Sequence, residues 1–307
     1  MRRRPDRKIF SIRQPVLFDE PGEERAKLAR QAASQLLAGE IDTLEQFTRV
    51  FEALELPPFR ECSPQRMRFE LPETGLQLLP EGYFFKGGAA RRALGLTLRG
   101  HAPFPRDLDI VRFGSGWTEH DSIVSRSLMP QDFERGFGVE VIANLGRYMA
   151  NRDLSVNEVV SGGGEVVASP LAVLDFIGGV LRPCKYRPGS IHRPPSLGSL
   201  TVVKMLRLRA EGLVDGARWS LVGVPPDQTI EPFDVAVQLD KAFSRSRRAA
   251  EVFIEQCRAV GIFPSTEEPT GAFIEDIAEI VGTIFEPERF FRNIPGDILA
   301  EALAHMR

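Results

Sequence analysis

The sequence has few of the features that mark membrane, secreted or zinc-binding proteins. No apolar run approaches the roughly 20 residues that a membrane-spanning helix needs, and the basic start MRRRP is not followed by the apolar segment of a secretory signal. Its three cysteines, Cys62, Cys184 and Cys257, are far apart and form no C-x-x-C pair, which argues against a disulfide framework or a zinc site. We therefore expect a cytoplasmic protein without a membrane partner.

The chain also has little net charge and few histidines. Its formal charge is -3 over 307 residues, so any binding of nucleic acid must depend on a local patch. Its four histidines show no H-E-x-x-H or other paired spacing, and they nominate no metal site. One basic patch is present, since residues 182–218 hold eight lysines and arginines against two acidic residues. This patch is either a solvated helix face with a loop or a surface that binds RNA.

Hydrophobic residues make up 43% of the chain, which suffices for a sizeable core and for more than one domain. Apolar residues recur at helical spacing twice between residues 21 and 56, and Thr43 or Asp42 is available to cap the second helix. Beyond a proline-rich loop the pattern is helical, with segments expected at 200–213, 235–260, 272–284 and 295–306. The sequence therefore predicts an α+β protein with three parts: an N-terminal arm and helical extension (1–75), a mixed head (76–198) and a helical neck-like or body-like domain (199–307).

The head begins with a stretch that predicts a strand, a glycine turn and a helix. Residues 83–85 (YFF) have strand composition, and residues 89–94 are strong helix formers. Between them, Gly87 and Gly88 form a turn that lets a ligand approach the backbone closely. Because a glycine turn that opens a helix presents free N–H groups to an anion, the stretch predicts a phosphate-binding site.

Two carboxylates follow in the next predicted strand, residues 106–113. Asp107 and Asp109 are two residues apart, so strand alternation places both on one face and Leu108 on the other. Carboxylates beside a phosphate-binding turn indicate metal-assisted phosphoryl chemistry. If the next predicted strand, residues 139–142 (VEVI), pairs with this one, Glu140 joins them as a third carboxylate.

Four motifs in this order resemble those of the class II tRNA nucleotidyltransferases and bacterial poly(A) polymerases, within the polymerase beta superfamily. Residues 87–91 (GGAAR) resemble G-G-x-V-R, and residues 107–110 (DLDI) resemble D-x-D with a following aliphatic residue. Residues 139–141 (VEV) resemble the strand with the third acidic residue, and residues 152–157 (RDLSVN) resemble R-D-F-T-I-N. The resemblance covers residues 82 to about 212 and implies a polymerase beta-like nucleotidyltransferase head, a mixed sheet with helices.

The resemblance implies two-metal transfer of NMP from an NTP, ATP among the candidates, to an acceptor hydroxyl, with release of pyrophosphate. It assigns Asp107, Asp109 and Glu140 as the catalytic ligands of two magnesium ions. The residues implied to bind the nucleotide or the acceptor are Gly87, Gly88, Arg91, Arg152, Asp153, Asn157, Lys204 and Arg207. Ordinary alternatives stay open. The three acidic residues could be solvated carboxylates, and Arg152 and Asp153 could form a surface ion pair. Lys204 and Arg207 could lie on a solvated helix face.

The sequence also departs from the family pattern at several places. Arg92 stands where an aspartate is usual, Asn151 replaces the first arginine of R-R-D, and the gap before Asp107, through residues 97–105, is several residues longer. The helix at 200–209 lacks the acidic pair of the E-D-x-x-R element that reads the nucleobase in CCA-adding enzymes. Discrimination between CTP and ATP of the CCA-adding kind is therefore not expected.

Three functions remain in competition. The favoured one is template-independent nucleotide addition to an RNA 3' end of the tRNA type, that is, a role in tRNA processing, because the basic patch would bind phosphates. The second is the same chemistry on a protein or small-molecule acceptor, as in toxin-like enzymes. The third is a non-catalytic relative that binds nucleotide or RNA, which the clustered carboxylates argue against, since without metal they repel phosphate. The sequence does not indicate the oligomeric state.

Overall fold

The computed structural model describes residues 10–11, 24–128, 138–184, 198–224, 227–263 and 269–306. The protein is α+β, and its main sheet is mixed and seven-stranded. The chain forms two compact units, Pro21–Pro195 and a second made of Met1–Glu20 with Ser196–Arg307. In the described part of the chain, no helix combines the length and the apolar character needed to cross a membrane. Compact packing does not show which segments fold independently, so the three-domain division stays a prediction.

Helices and strands are interspersed along the chain in the first unit, and the second unit is mainly helical. The short strand β1 is Phe10–Ser11. The first unit contains α1 (Glu24–Ala38), α2 (Leu44–Ala53), β2 (Phe59–Cys62), β3 (Met67–Glu70), β4 (Tyr83–Phe85), α3 (Gly87–Arg99), β5 (Ile110–Phe113), α4 (Glu119–Leu128), β6 (Val139–Ile142), α5 (Leu145–Ala150), β7 (Val159–Gly162), β8 (Glu165–Ala168), α6 (Pro170–Gly178) and β9 (Val180–Leu181). The second contains α7 (Ser199–Val214), β10 (Ser220–Leu221), β11 (Thr229–Ile230), α8 (Pro232–Arg245), α9 (Arg247–Ala259), α10 (Pro269–Val281), α11 (Pro287–Phe290) and α12 (Gly296–His305).

The large sheet has the strand order β2-β3-β8-β7-β4-β5-β6. Its neighbouring strands run antiparallel, except that β5 and β6 are parallel, with Val111 opposite Glu140. The strand that carries Glu140 therefore pairs with the strand that follows the two aspartates, which was the condition for Glu140 to join them. A hairpin follows in the same sheet, in which β7 and β8 are joined by the turn at Gly163 and Gly164.

Each face of this sheet has its own hydrophobic cluster. On one face, Tyr83, Phe85 and Ile110 pack with Ala89 of α3 and Val124 of α4. On the other face, buried residues of the sheet pack with residues of α5; the cluster consists of Val111, Tyr148, Met149, Val160 and Val167. This part of the first unit is thus built in layers, with α3 and α4 on one side of the sheet and α5 on the other.

The strand expected at residues 106–113 is shorter than predicted. β5 begins at Ile110, so Asp107 and Asp109 lie in the irregular segment that leads into it. The segment before β5 comes from the side of α3. It joins the hydrogen-bond ladder of the sheet at Asp109, whose carbonyl accepts from the amide of Lys86 at 2.8 Å. Leu108 still packs with Ile110 in the same core cluster, so the predicted alternation persists before the strand itself.

The helices predicted from local signals are present, with one exception, whereas α4, α5, α6 and α11 were not predicted. Thr43 caps α2 in a reciprocal arrangement with Gln46, in which each side chain binds the other's backbone. The single helix predicted at 235–260 is wrong: α8 and α9 are separated at Ser246, whose backbone is extended (φ -174°) and whose hydroxyl accepts from the amide of Ala249. A serine cap within a continuous apolar pattern explains the break, since it satisfies the first turn of a new helix.

Candidate active site

The glycine turn forms the N-terminal end of α3. Gly87 has a φ of +58°, and a Cβ atom there would lie 2.9 Å from Oδ2 of Asp109. Both facts disfavour a larger residue, because the left-handed conformation strains L-residues and the carboxylate of Asp109 would have to move. The N-cap residue is Lys86, whose ammonium has no acceptor atom, so its side chain does not cap the first amides of the helix. The turn and the carboxylate of Asp109 are therefore in direct contact.

Glu140 lies at the end of the sheet next to this turn and is held by two cations. Its Oε2 forms an ion pair with Nζ of Lys86, and its Oε1 lies 3.5 Å from Nη2 of Arg152. Burial alone would raise the pKa of Glu140, but the charges and hydrogen bonds of Lys86 and then Arg152 outweigh it, so this pKa is lowered. Glu140 is thus an ionised group at neutral pH with its charge already balanced.

Arg152 is fixed by the tyrosine beneath it. Its guanidinium lies 4.0 Å from the ring centre of Tyr148, and its Nε donates to the carbonyl of Tyr148 at 2.9 Å. The hydroxyl of Tyr148 donates to the carbonyl of Val159 at 3.2 Å, and burial raises the pKa of Tyr148 well above its usual value. The charges of Arg152, Glu140, Asp109 and Asp153 also act on this pKa. Tyr148 therefore serves as a neutral support on which the charged groups of the site are arranged.

The motif at residues 152–157 is joined to α3 by hydrogen bonds. Arg91 donates from Nη1 to Oδ1 of Asn157, and Nδ2 of Asn157 donates to Oδ1 of Asp153 at 2.7 Å. The amide of Leu154 donates to the same oxygen of Asp153 at 3.0 Å. Arg91, Asn157 and Asp153 thus form a continuous chain from the first turn of α3 to the loop after α5.

A buried ion pair supports this loop from below. Asp175, fully buried in α6, accepts from Ser155 at 2.6 Å and from two nitrogens of Arg182 at 2.9 and 3.0 Å. Burial raises the pKa of Asp175, and its bonds with Arg182 and Ser155 act in the opposite direction. Asp175 and Arg182 therefore hold the motif at 152–157 in place, through Ser155.

The structure brings most of the predicted site residues together in the first unit. Glu140, Arg152, Asp153, Asn157 and Arg91 join the glycine turn through the contacts above, and Asp107 lies two residues before Asp109 in the same segment. Within the described ranges, no three His, Cys, Asp or Glu residues lie close enough to hold a metal ion. The donor chemistry of Asp107 and Asp109 suits a hard cation such as magnesium. The carboxylate of Glu140 is instead bound to Lys86 and Arg152.

The two predicted contacts on α7 belong to the second unit. Arg207 is 3% exposed, its Nε donates to Oε1 of Gln238 at 2.7 Å, and its Nη1 pairs with Glu211. Arg209 is 5% exposed, so the interpretation of these arginines as a solvated face is wrong. Lys204 lies in the same helix and is half-buried. A contact of Lys204 or Arg207 with the base or the acceptor stays a prediction.

Sequence reasoning missed two residues of this site, Lys86 and Tyr148. Lys86 had a usable signal, because a cation directly before a glycine turn is placed to meet an anion. Tyr148 had none, since a tyrosine within a short apolar helix is an ordinary core residue. Lys86 acts on Glu140, which is 54 positions away, and such a contact is not readable from local patterns. Tyr148 acts on Arg152, only four positions away, but nothing in the sequence marks it as a support for a charged group.

Comparison with known proteins adds no family assignment. No protein-family model matches this chain, and no curated protein matches its sequence significantly. The resemblance to the class II nucleotidyltransferases therefore depends on the four motifs and on how their residues are arranged, and it stays a hypothesis.

Proposed function

We propose that the chain is a template-independent nucleotidyltransferase, that it transfers NMP from an NTP to an acceptor hydroxyl, and that its first unit contains a polymerase beta-like head. The observation that carries the proposal is the contact between Gly87 and the carboxylate of Asp109, 2.9 Å from the position of a Cβ atom. The N-terminal end of a helix attracts phosphate, whereas a carboxylate repels it. The two features are compatible when a cation lies between them, which is the arrangement of a metal–nucleotide site.

Magnesium is the cation that suits these ligands, because it prefers carboxylate oxygens and substrate phosphates. In the proposal, Asp107 and Asp109 would hold two ions, and Glu140, now paired with Lys86, would be a further ligand. When bound, such ions lower the pKa of an attacking hydroxyl and stabilise the leaving pyrophosphate.

The remaining groups would bind and orient the nucleotide. The amides of Gly87 and Gly88 face the triphosphate, and Arg91 supplies a cation whose direction is set by its hydrogen bond to Asn157. Arg152 and Asp153 meet the phosphates and the ribose. Because Arg152 is held against Tyr148 and Asp153 against Asn157, both groups are ordered before the nucleotide binds.

For the acceptor, an RNA 3' end of the tRNA type is the first candidate. It depends on the basic patch at 182–218, of which residues 185–197 lie outside the described residues. The burial of Arg207 and Arg209 counts against an RNA-binding role for two of its eight basic residues. The sequence alone favours an RNA acceptor. This observation weakens that preference and strengthens the second candidate, a protein or small-molecule acceptor.

The test is transfer of label. The full chain is incubated with magnesium and each α-labelled NTP in turn, together with total cellular RNA or with a lysate free of RNA, and the labelled acceptor is identified. Asp107→Asn with Asp109→Asn should abolish transfer, whereas Glu52→Gln, an exposed carboxylate in α2, should leave it unchanged. Transfer that survives the double replacement would contradict the catalytic assignment.

A further inference from the structure

The segment between α3 and β5 runs back along one face of α3. Gly100 ends the helix in the left-handed conformation (φ 74°) and reverses the chain. A Cβ atom on Gly95 would lie 2.8 Å from Cβ of Ala102, and one on Gly88 would lie 3.3 Å from Cβ of Pro105. Because Gly88 and Gly95 are seven residues apart, they lie on the same face of the helix. The returning segment therefore packs along this face and ends beside the phosphate turn.

Arg92, which lies between these two glycines on the same face, ties the segment down. Its Nε donates to the carbonyl of Thr74 at 2.8 Å, and its Nη1 donates to the carbonyl of Ala102. Its guanidinium also lies 3.7 Å from the ring centre of Phe104. Two departures noted in the sequence, Arg92 in place of aspartate and the long gap at 97–105, thus belong to one arrangement, because the arginine is what holds the extra residues.

The product of this arrangement is an aromatic ring that is both fixed and open to solvent. Phe104 is 57% exposed, although the cation–π contact with Arg92 holds it and its Cζ lies only 3.2 Å from where a Cβ on Gly75 would be. Arg92 is four residues after Gly88, which corresponds to about 6 Å along the helix axis. Phe104 also directly precedes Pro105, which packs on Gly88, so the ring belongs to the part of the segment that lies beside the glycine turn.

We propose that Phe104 stacks on the base of the nucleotide whose triphosphate binds at Gly87 and Gly88, and that Arg92 is the positioning residue for this ring. The inference rests on the proposed function and adds to it the way in which the base is held. Stacking on an aromatic ring is tolerant of base identity, because every base has a π-face. Phe104 would thus replace hydrogen-bonded reading of the base, in agreement with the absence of E-D-x-x-R from residues 200–209.

The experiment separates the base from the phosphates. Binding of ATP, CTP, GTP and UTP to the full chain is measured by titration calorimetry in the presence of magnesium, with inorganic tripolyphosphate as the probe that has no base. Phe104→Ala should weaken binding of all four NTPs by roughly tenfold or more. It should leave the affinity for tripolyphosphate unchanged, and Phe104→Trp should restore NTP binding.

Two further variants serve as controls. Phe104→Leu keeps most of the apolar volume without the π-face and should behave like Phe104→Ala, which excludes a general disturbance of the segment. Phe285→Ala removes an aromatic ring that is 78% exposed elsewhere in the chain and should change nothing.

Three results would overturn the inference: unchanged NTP affinity in Phe104→Ala, equal weakening of NTP and tripolyphosphate binding, or weakened binding of acceptor RNA alone. Failure of the proposed function is recognised separately, in the unaltered chain. If that chain binds no NTP and transfers no label, both proposals fail. If it binds and transfers while the Phe104 variants match it, only the stacking inference fails.

Discussion

Replacement of Gly87 by alanine tests the central contact of the site. The new Cβ atom would meet Oδ2 of Asp109 at 2.9 Å, and the residue would keep a φ of +58°. The left-handed conformation costs an L-residue about 1–2 kcal/mol. The contact adds a second effect, because either the carboxylate or the start of α3 must move. A misplacement of about 1 Å at a reacting centre lowers rates by about 100-fold.

The chain offers a matched control for the conformational cost of a left-handed alanine. Gly163, in the turn between β7 and β8, has a φ of +59°, and a Cβ there would meet nothing within 4 Å. Gly163→Ala therefore pays the same conformational cost without touching the site. We expect it to lose about 1–2 kcal/mol of unfolding free energy and to transfer NMP at the normal rate. Gly87→Ala should lose at least as much stability and about 100-fold in transfer rate.

The assay is transfer of label from an NTP at saturating magnesium, with denaturant unfolding of both variants at the same temperature. Rates are compared only at temperatures where both variants are folded. If Gly87→Ala matches Gly163→Ala in both stability and rate, the carboxylate of Asp109 has no part in the reaction, and the reasoning from the glycine turn is refuted.

Three other perturbations have defined outcomes. Lys86→Met should lower the magnesium concentration needed for half-maximal binding, because the ammonium of Lys86 competes with an ion for Glu140. Binding is measured by titration calorimetry, and an unchanged titration would show that Glu140 is no ligand. In the native chain, Nε of Arg112 lies 2.6 Å from Oδ1 of the buried Asp121. Asp121→Asn leaves the charge of Arg112 unpaired and should lower the unfolding free energy by about 3 kcal/mol. A loss below about 1 kcal/mol in denaturant unfolding would contradict this. Burial raises the pKa of Asp276 to about 6 despite its contact with Arg258, so its contribution to stability is present below about pH 4 and is lost as the pH rises through 6. Asp276→Asn should flatten this part of the stability profile, and an equally steep profile in the variant would count against the assignment.

The sequence was informative wherever the signal was local. The cap at Thr43 and the strand at 139–142 each depend on neighbours within a few residues, and each was predicted. The start of β5 was missed because it is set by the packing of residues 101–106 on α3, which no pattern within the strand encodes.

For the candidate site, the sequence nominated residues but not their partners. Glu140 was chosen as a carboxylate, but its pairing with Lys86 joins residues 54 positions apart. Arg207 looked like a surface residue because its side chain is charged, whereas Gln238, 31 positions away, and Glu211 allow it to be buried. Burial of a charged group depends on a partner across helices, so helical periodicity alone does not reveal it.

The pairing of β3 with β8 also determines when this site can exist. Residues 67–70 pair with residues 165–168, and the segment between them contains the glycine turn, the aspartates, Glu140 and the motif at 152–157. During synthesis from the N-terminus, the sheet cannot close until β8 has emerged, by which point every one of these residues has been made. Pairing across so long a segment slows folding, since much chain entropy is lost before the contact forms. The candidate site of the first unit is thus enclosed by a strand pairing that forms only after all of its residues there have been made.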